Sequence, residues 1–298
     1  MKLSHESKVR LGVGIGAFVL IIGLVFGISR TLIHFNGPWD LDDVVSDLSG
    51  MDDAFDEDDS LNSGNYSTQP QQLSSATFDA DAFTSLDLDV TSGTVEVKRV
   101  SGGPVRVIES GRVATGTAAF DAATQNLAEI KGSTLKISQF DCDDERALDR
   151  KVTIELPREL ADNMMDITAN VGSGDLTVAD IACHDLDVTL DSGDVEFTGT
   201  VTDTLNAVVG SGDVTFELYQ APAKSMDASV DSGDVEITVP NSTGFKASLT
   251  VGSGDFESDF LPLGYDGETI LNLEFDNGDK SATYRFKVGS GDMSFDSE

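Results

Sequence analysis

From Ser85 the chain alternates apolar and polar side chains. Leu86, Leu88 and Val90 share one parity and Asp87 and Asp89 the other, the mark of a strand with one buried face. After "TSG" the alternation resumes at Val95 and Val97. The same pattern returns in "ITANVGSGDLTV", "LDVTLDSGDVEF", "LNAVVGSGDVTF", "MDASVDSGDVEI", "KASLTVGSGDFES" and "YRFKVGSGDMSF". Its central glycines, Gly174, Gly193, Gly212, Gly233, Gly254 and Gly291, are separated by 19, 19, 21, 21 and 37 residues. The last gap reads as two units, with a degenerate copy around "FDNGDK". A period near 20 predicts stacked repeats.

The phase of the apolar residues changes at each Ser-Gly-Asp. Leu186, Val188 and Leu190 share parity, whereas Val195 and Phe197 carry the opposite one; Leu205, Ala207, Val209 and then Val214, Phe216 repeat the slip. An inward face survives this only if the chain turns a corner there. Glycine is expected to supply an unusual backbone angle, and Asp or Ser to hydrogen-bond nearby backbone. Antiparallel hairpins and a parallel β-solenoid both satisfy strand, corner, strand. The near-constant period favours the solenoid, whose coils lie about 4.8 Å apart and must match in length. The expected class is therefore all-β, a parallel β-solenoid of roughly 20-residue repeats over residues 76–298. Residues 76–160 fit less cleanly and suggest a cap, with an insertion near 118–127.

Residues 11–29, "LGVGIGAFVLIIGLVFGIS", carry no charge and would span about 28 Å as a helix, close to the hydrocarbon thickness of a bilayer. No small-x-small cleavage site follows, so an uncleaved anchor is expected rather than a signal peptide. Lys2, Lys8 and Arg10 precede this span and only Arg30 follows closely, which puts residues 1–10 in the cytoplasm and the remainder outside. The reading is a single-pass protein of the cell membrane with an extracytoplasmic C-terminal domain. Gly12, Gly16, Gly23 and Gly27 share one helical face, and a homodimer through that face would use them. Residues 30–75 form an acidic juxtamembrane linker, with either an amphipathic helix or disorder over 38–55.

The formal net charge is −34, and no Lys or Arg lies between Arg30 and Lys98. Nucleic acid is excluded as a partner, because phosphate binding needs a basic face; cations or basic proteins suit this surface. Cys142 and Cys183 fall in the exported part and are a candidate disulfide, with two free thiols as the alternative. Neither has metal-type spacing. Beyond His34 the only histidine is His184, so no catalytic constellation stands out and the chain reads as a non-enzyme.

Stacking would line up Asp175, Asp194, Asp213, Asp234, Asp255 and Asp292 along one edge. A further position alternates through Thr177, Glu196, Thr215 and Glu236 until Glu257 breaks the pattern. Alternation spreads like charges that repel by about 0.9 kcal/mol at one coil spacing in water. The competing reading is a Ca²⁺-binding edge, since that ion takes six to eight oxygens. No other cofactor is implied.

With these units in hand, residues 76–298 resemble the bacterial "putative adhesin" family of β-strand repeats, a toast-rack-like domain of unknown function. The motifs that carry the resemblance are "VTSGTVEV", "VTIELP" and the serial "SGDV" units through "VGSGDMSF". It implies a β-helix-like fold, an extracytoplasmic place and, in some relatives, a link to cell-envelope stress; it supplies no catalytic residues. The linker's relaxed reach is roughly 35 to 40 Å. A binding or scaffolding module close to the membrane, with an envelope or membrane protein as partner, is therefore expected over a cell-surface adhesin or a calcium-dependent binding module. The last repeat runs almost to Glu298, so its coil is expected to be exposed to strand addition.

Overall fold

The computed structural model describes residues 66–114, 127–137, 147–261, 273–279 and 281–298. The predicted membrane helix with Gly12, Gly16, Gly23 and Gly27, the segment 38–55 and Cys142 lie outside them. Among the described residues no helix is long and apolar enough to cross a membrane.

In chain order the strands begin with β1 (Gln71–Phe78), β2 (Ser85–Val90), β3 (Thr94–Val100), β4 (Val105–Val113), β5 (Ala128–Lys131), β6 (Thr134–Ile137) and β7 (Ala147–Pro157). One turn of helix, α1 (Arg158–Ala161), leads to β8 (Met164–Val171), β9 (Asp175–Leu190), β10 (Asp194–Val209) and β11 (Asp213–Gln220). There follow β12 (Ser225–Val230), β13 (Asp234–Val239), β14 (Phe245–Val251), β15 (Phe256–Glu257), β16 (Leu273–Asn277), β17 (Ala282–Val288) and β18 (Asp292–Ser297). β1 starts inside the stretch that the sequence assigns to the linker. Its polar "QQLSSATF" pairs antiparallel with β4 only, so it needs little apolar character.

Strands that precede a corner pair with one another, and strands that follow one do the same. Sheet 1 runs β6, β2, β8, the second halves of β9 and β10, β12, β17 and β14, all parallel and in register at the corner. Sheet 2 runs β7, β3, the first halves of β9 and β10, β11, β13, β18 and β15. The inward residues of both sheets make one core. Leu186, Val188, Leu190, Val195 and Phe197 are all buried, while Asp191 and Ser192 are both exposed at the corner between them. Those two exposed residues produce the parity slip.

Order in space departs from order in sequence at both ends. β2 lies between β6 and β8, so the chain lays down an inner coil first and returns outside it. There β5 runs antiparallel on β6, β4 on β7 and β1 on β4, which gives the expected cap. At the other end β17 lies between β12 and β14, and β18 between β13 and β15. The expectation of an exposed last coil is thus corrected, because the C-terminal repeat is threaded inside the stack. The "FDNGDK" segment is not a degenerate coil either. Its residues Phe275, Asp276 and Asn277 belong to β16, which returns antiparallel on the outer edge of β14. Stacking requires coils of matching length and pattern, and chain order is free to differ.

The corner glycines are needed for a reason other than the one expected. Gly174, Gly193, Gly212, Gly233, Gly254 and Gly291 do not have positive φ; Gly93, in the first corner, does, at 80°. Each of the six instead faces the carbonyl oxygen of the glycine one coil away. A Cβ on Gly212 would lie 1.9 Å from the Gly193 oxygen, and one on Gly254 1.7 Å from the Gly291 oxygen. Close approach of stacked backbones therefore excludes a side chain.

Candidate functional site

The six predicted edge aspartates do come together in a line. Their spatial order is Asp175, Asp194, Asp213, Asp234, Asp292, Asp255, with the last two exchanged relative to sequence. Three of their carboxylates are part of the ladder. Asp213 Oδ1 accepts the Asp234 N–H at 3.2 Å, Asp234 Oδ1 the Asp292 N–H at 3.3 Å, and Asp292 Oδ1 the Asp255 N–H at 3.0 Å. Serine N–H groups in the same corners donate to carbonyls one coil away, as Ser211 does to Asp191 at 2.8 Å. Asp213, Asp234 and Asp292 thus help to satisfy backbone donors where the regular strand pattern is interrupted. Among the described residues no cluster of three or more His, Cys, Asp or Glu side chains is arranged to hold a metal ion.

On the outer face of sheet 2 a second line reads Thr153, Glu96, Thr177, Glu196, Thr215, Glu236, Ser294, Glu257. Acid and hydroxyl alternate without a break. Glu257, which interrupts the pattern along the sequence, keeps it in space because Ser294 of β18 intervenes. Near the N-terminal end Lys151 Nζ lies 2.8 Å from Glu96 Oε2, and that hydrogen bond holds the Glu96 carboxyl below its usual range.

The third line, on the outer face of sheet 1, was missed by sequence reasoning. Asp87, Asp166, Asp185 and Asp187 border an open depression of about 460 Å³ with Ser85, Thr134, Thr168 and Thr204 between them. Neighbouring coils supply donors to each acid. Ser85 Oγ donates to Asp166 at 3.0 Å, Asn206 Nδ2 to Asp187 at 2.6 Å, Lys136 Nζ to Asp87 at 2.7 Å, and Thr204 Oγ1 to Asp185. The bond to Asp87 pushes the Lys136 ammonium above its usual pKa. A carboxylate has several lone-pair directions, so one donor leaves others facing out of the depression. Aligning the units on their corners, rather than reading each by itself, brings Asp87, Thr168, Asp187, Asn206 and Asp227 onto one position and would have exposed this line.

Nothing at the remaining candidates favours nucleophilic chemistry. Cys183 is a free thiol packed in the core; burial pushes it up to about 12, so it is no thiolate at neutral pH. Its candidate partner Cys142 is outside the described residues. His184 is half exposed at the corner opposite Ser-Gly-Asp, with Nδ1 3.6 Å from Asp203 Oδ2. Asp203 is shared with Lys224 Nζ at 2.7 Å, a bond that lowers the acid and raises the amine. This is a surface ion pair closing one coil onto the next.

The sequence profile of the Toastrack DUF4097 family matches residues 59–296. No curated protein matches the chain. Among solved structures, a putative cell adhesion protein from Clostridium sporogenes is 13% identical, with 77% of this chain and 100% of that one covered and a TM-score of 0.46. A putative adhesin from Bacteroides fragilis is 14% identical, covering 77% and 98%, with a TM-score of 0.32. A putative lipid binding protein from Parabacteroides distasonis is 13% identical, covering 76% and 98%, with a TM-score of 0.37. With its stacked coils and a family match spanning most of its length, the chain belongs to the Toastrack DUF4097 family.

Proposed function

We propose that the protein is a non-catalytic binding or scaffolding module of the bacterial cell envelope, anchored by residues 11–29 with residues 66–298 outside the cytoplasm. The observation that carries this reading is the set of rigid, in-register lines of carboxylate and hydroxyl groups on both sheet faces. Side chains held on strands at a fixed spacing suit recognition of an extended basic partner, and the charge of −34 draws such a partner in. The depression around Asp166, Asp185 and Asp187 is the preferred contact. An envelope or membrane protein with a lysine- or arginine-rich segment is the partner class, and a role in envelope stress would follow from tethering it.

The test is titration of the full chain with a lysine-rich peptide at low and moderate salt. Replacing Asp166, Asp185 and Asp187 by Asn is expected to weaken binding about tenfold or more and to flatten its salt dependence. Binding that ignores both the substitution and the salt contradicts the reading. A calcium-dependent module predicts instead a calcium-specific rise in melting temperature, absent with magnesium. Our reading, in which the edge aspartates serve the backbone, predicts no calcium-specific rise.

A further inference from the structure

The level between the coil of β12 and β13 and the coil of β14 and β15 is filled by β17 and β18, which come later in the chain than either neighbour. The corners alone do not dictate this order. Both outer coils carry Val-Gly-Ser-Gly-Asp, at 251–255 and 288–292, and either could dock on β12 and β13 through the same glycine contacts.

The side-chain lines do discriminate. Stacking β15 directly on β13 with corners aligned would set Glu257 beside Glu236; in the structure Ser294 separates them. On sheet 1 Arg285 Nη1 pairs with Asp227 Oδ1 at 2.8 Å, whereas direct stacking would bring Ser248 to Asp227. The level therefore accepts a coil with a hydroxyl between two glutamates and a cation opposite Asp227.

β17 has a parallel partner along both edges, so the same coil arriving from another molecule would recover every one of these pairings. The connection that keeps it in its own chain is short. Asn277 ends β16 on the outer side of β14 and Ala282 begins β17 on the inner side, five residues later in the chain, with Gly278 at φ 52° and the Asp279 oxygen only 2.5 Å from where a Gly244 Cβ would stand. Short, tight connections favour exchange between copies.

We propose that this level is a binding site for a matching β-coil, and that a second copy of the chain fills it by exchanging residues 282–297. The experiment uses full-length chains in detergent, with Cys142→Ser throughout. One population carries Ser225→Cys and the other Thr283→Cys, positions that are Cα partners between β12 and β17. A mixed disulfide of this pair requires the coil of one molecule to sit in the other.

Mixed under a thiol–disulfide buffer, the pair should yield a covalent dimer that rises with concentration. Yield should fall about tenfold when the Thr283→Cys chain also carries a flexible Gly-Ser insertion after Gly278, which lengthens the connection and leaves every pairing of the coil in place. Circular dichroism checks that each variant is folded. Glu217→Cys, on the outer face of sheet 2, combined with Ser225→Cys reports random collision. A dimer no more abundant than that control, or one indifferent to the insertion, overturns the proposal.

Discussion

The two ends of the stack solve one problem with different chemistry. Both thread a coil out of sequence order and both finish on antiparallel strands, yet the N-terminal end is tied by ions and the C-terminal end by rings. Around β3, β4 and β7, Lys98 and Arg106 meet Glu155, Arg112 meets Asp149, Lys151 meets Glu96, and Arg99 meets Asp162. Beneath them Arg150 and Glu109 are paired with only 1% of either side chain exposed, and Ser74 of β1 donates to the same carboxylate at 2.9 Å. At the other end Phe245 packs against Phe260, Phe275, Tyr284 and Phe295 with centroids 5.1 to 5.8 Å apart. The coils between use little of either and rely on the glycine corners and the small aliphatic core. An end needs something extra because its outer coil is stacked on one side only.

Substitutions within the end clusters have the largest expected effect. Glu109→Gln removes one partner of a buried ion pair and should cost about 3–5 kcal/mol in denaturant unfolding. Phe295→Ala should cost a similar 3–5 kcal/mol by leaving a hole among the rings. The comparison sharpens in salt. High salt should leave the Phe295→Ala deficit unchanged and, because the Glu109 pair is buried, leave that deficit nearly unchanged too; only the exposed pairs, each worth about 0–1 kcal/mol, should respond. A Glu109→Gln deficit that vanishes in salt would break the account of a desolvated pair.

The middle is tested by the corner glycines. Gly212→Ala forces a Cβ against a fixed carbonyl and should cost about 3 kcal/mol or more, measured by the same unfolding curves. Gly254→Ala should cost less although its Cβ would be equally crowded, because the outermost coil can lift away. Gly102→Ala, with nothing within 4 Å, should change stability by less than about 0.5 kcal/mol.

Smaller effects belong to the alternating line. Thr215→Glu completes a row of three glutamates with Glu196 and Glu236 and should cost about 1–2 kcal/mol at low salt, most of it recovered as salt is added. Cys183 should have no effect near neutral pH. Its folded pKa of about 12 exceeds the ordinary thiol value, so the folded state holds the proton longer than the unfolded one. Stability that is complete below about pH 9 should therefore decline between pH 9 and 12, by up to about 1.4 kcal/mol per unit. Thiol reagents at pH 8 should modify Cys183 only after unfolding.

Much of the fold was legible because each unit repeats its own evidence. The parity slip from Leu190 to Val195 and the period near 20 specify strand, corner and stacking without reference to any distant residue. Coil order was not legible, since it depends on which neighbour each edge chooses. A clue was present in Glu257: the alternation it broke along the chain asked for a hydroxyl-bearing coil between it and Glu236, and β18 with Ser294 supplies one. The glycine corner was placed correctly but explained by the wrong force, because a backbone angle is a local property and a clash with the next coil is not. The depression on sheet 1 stayed hidden for a related reason. Asp166 and Asp187 lie 79 and 100 residues along the chain from Asp87, and stacking joins them.

The order of the last two coils is the claim on which the ladders, the end comparison and the exchange all rest. It is tested most directly by cysteine pairs within single chains carrying Cys142→Ser. Ser229 and Lys287 are Cα partners in adjacent coils, within the span a disulfide bridges, whereas Ser229 and Thr250 are separated by β17. Ser229→Cys with Lys287→Cys should oxidise rapidly to an intramolecular disulfide that raises the melting temperature, and Ser229→Cys with Thr250→Cys should remain reduced under the same buffer. Rapid bridging of 229 to 250, with 229 and 287 left as thiols, would mean that the coils stack in chain order and would contradict the account.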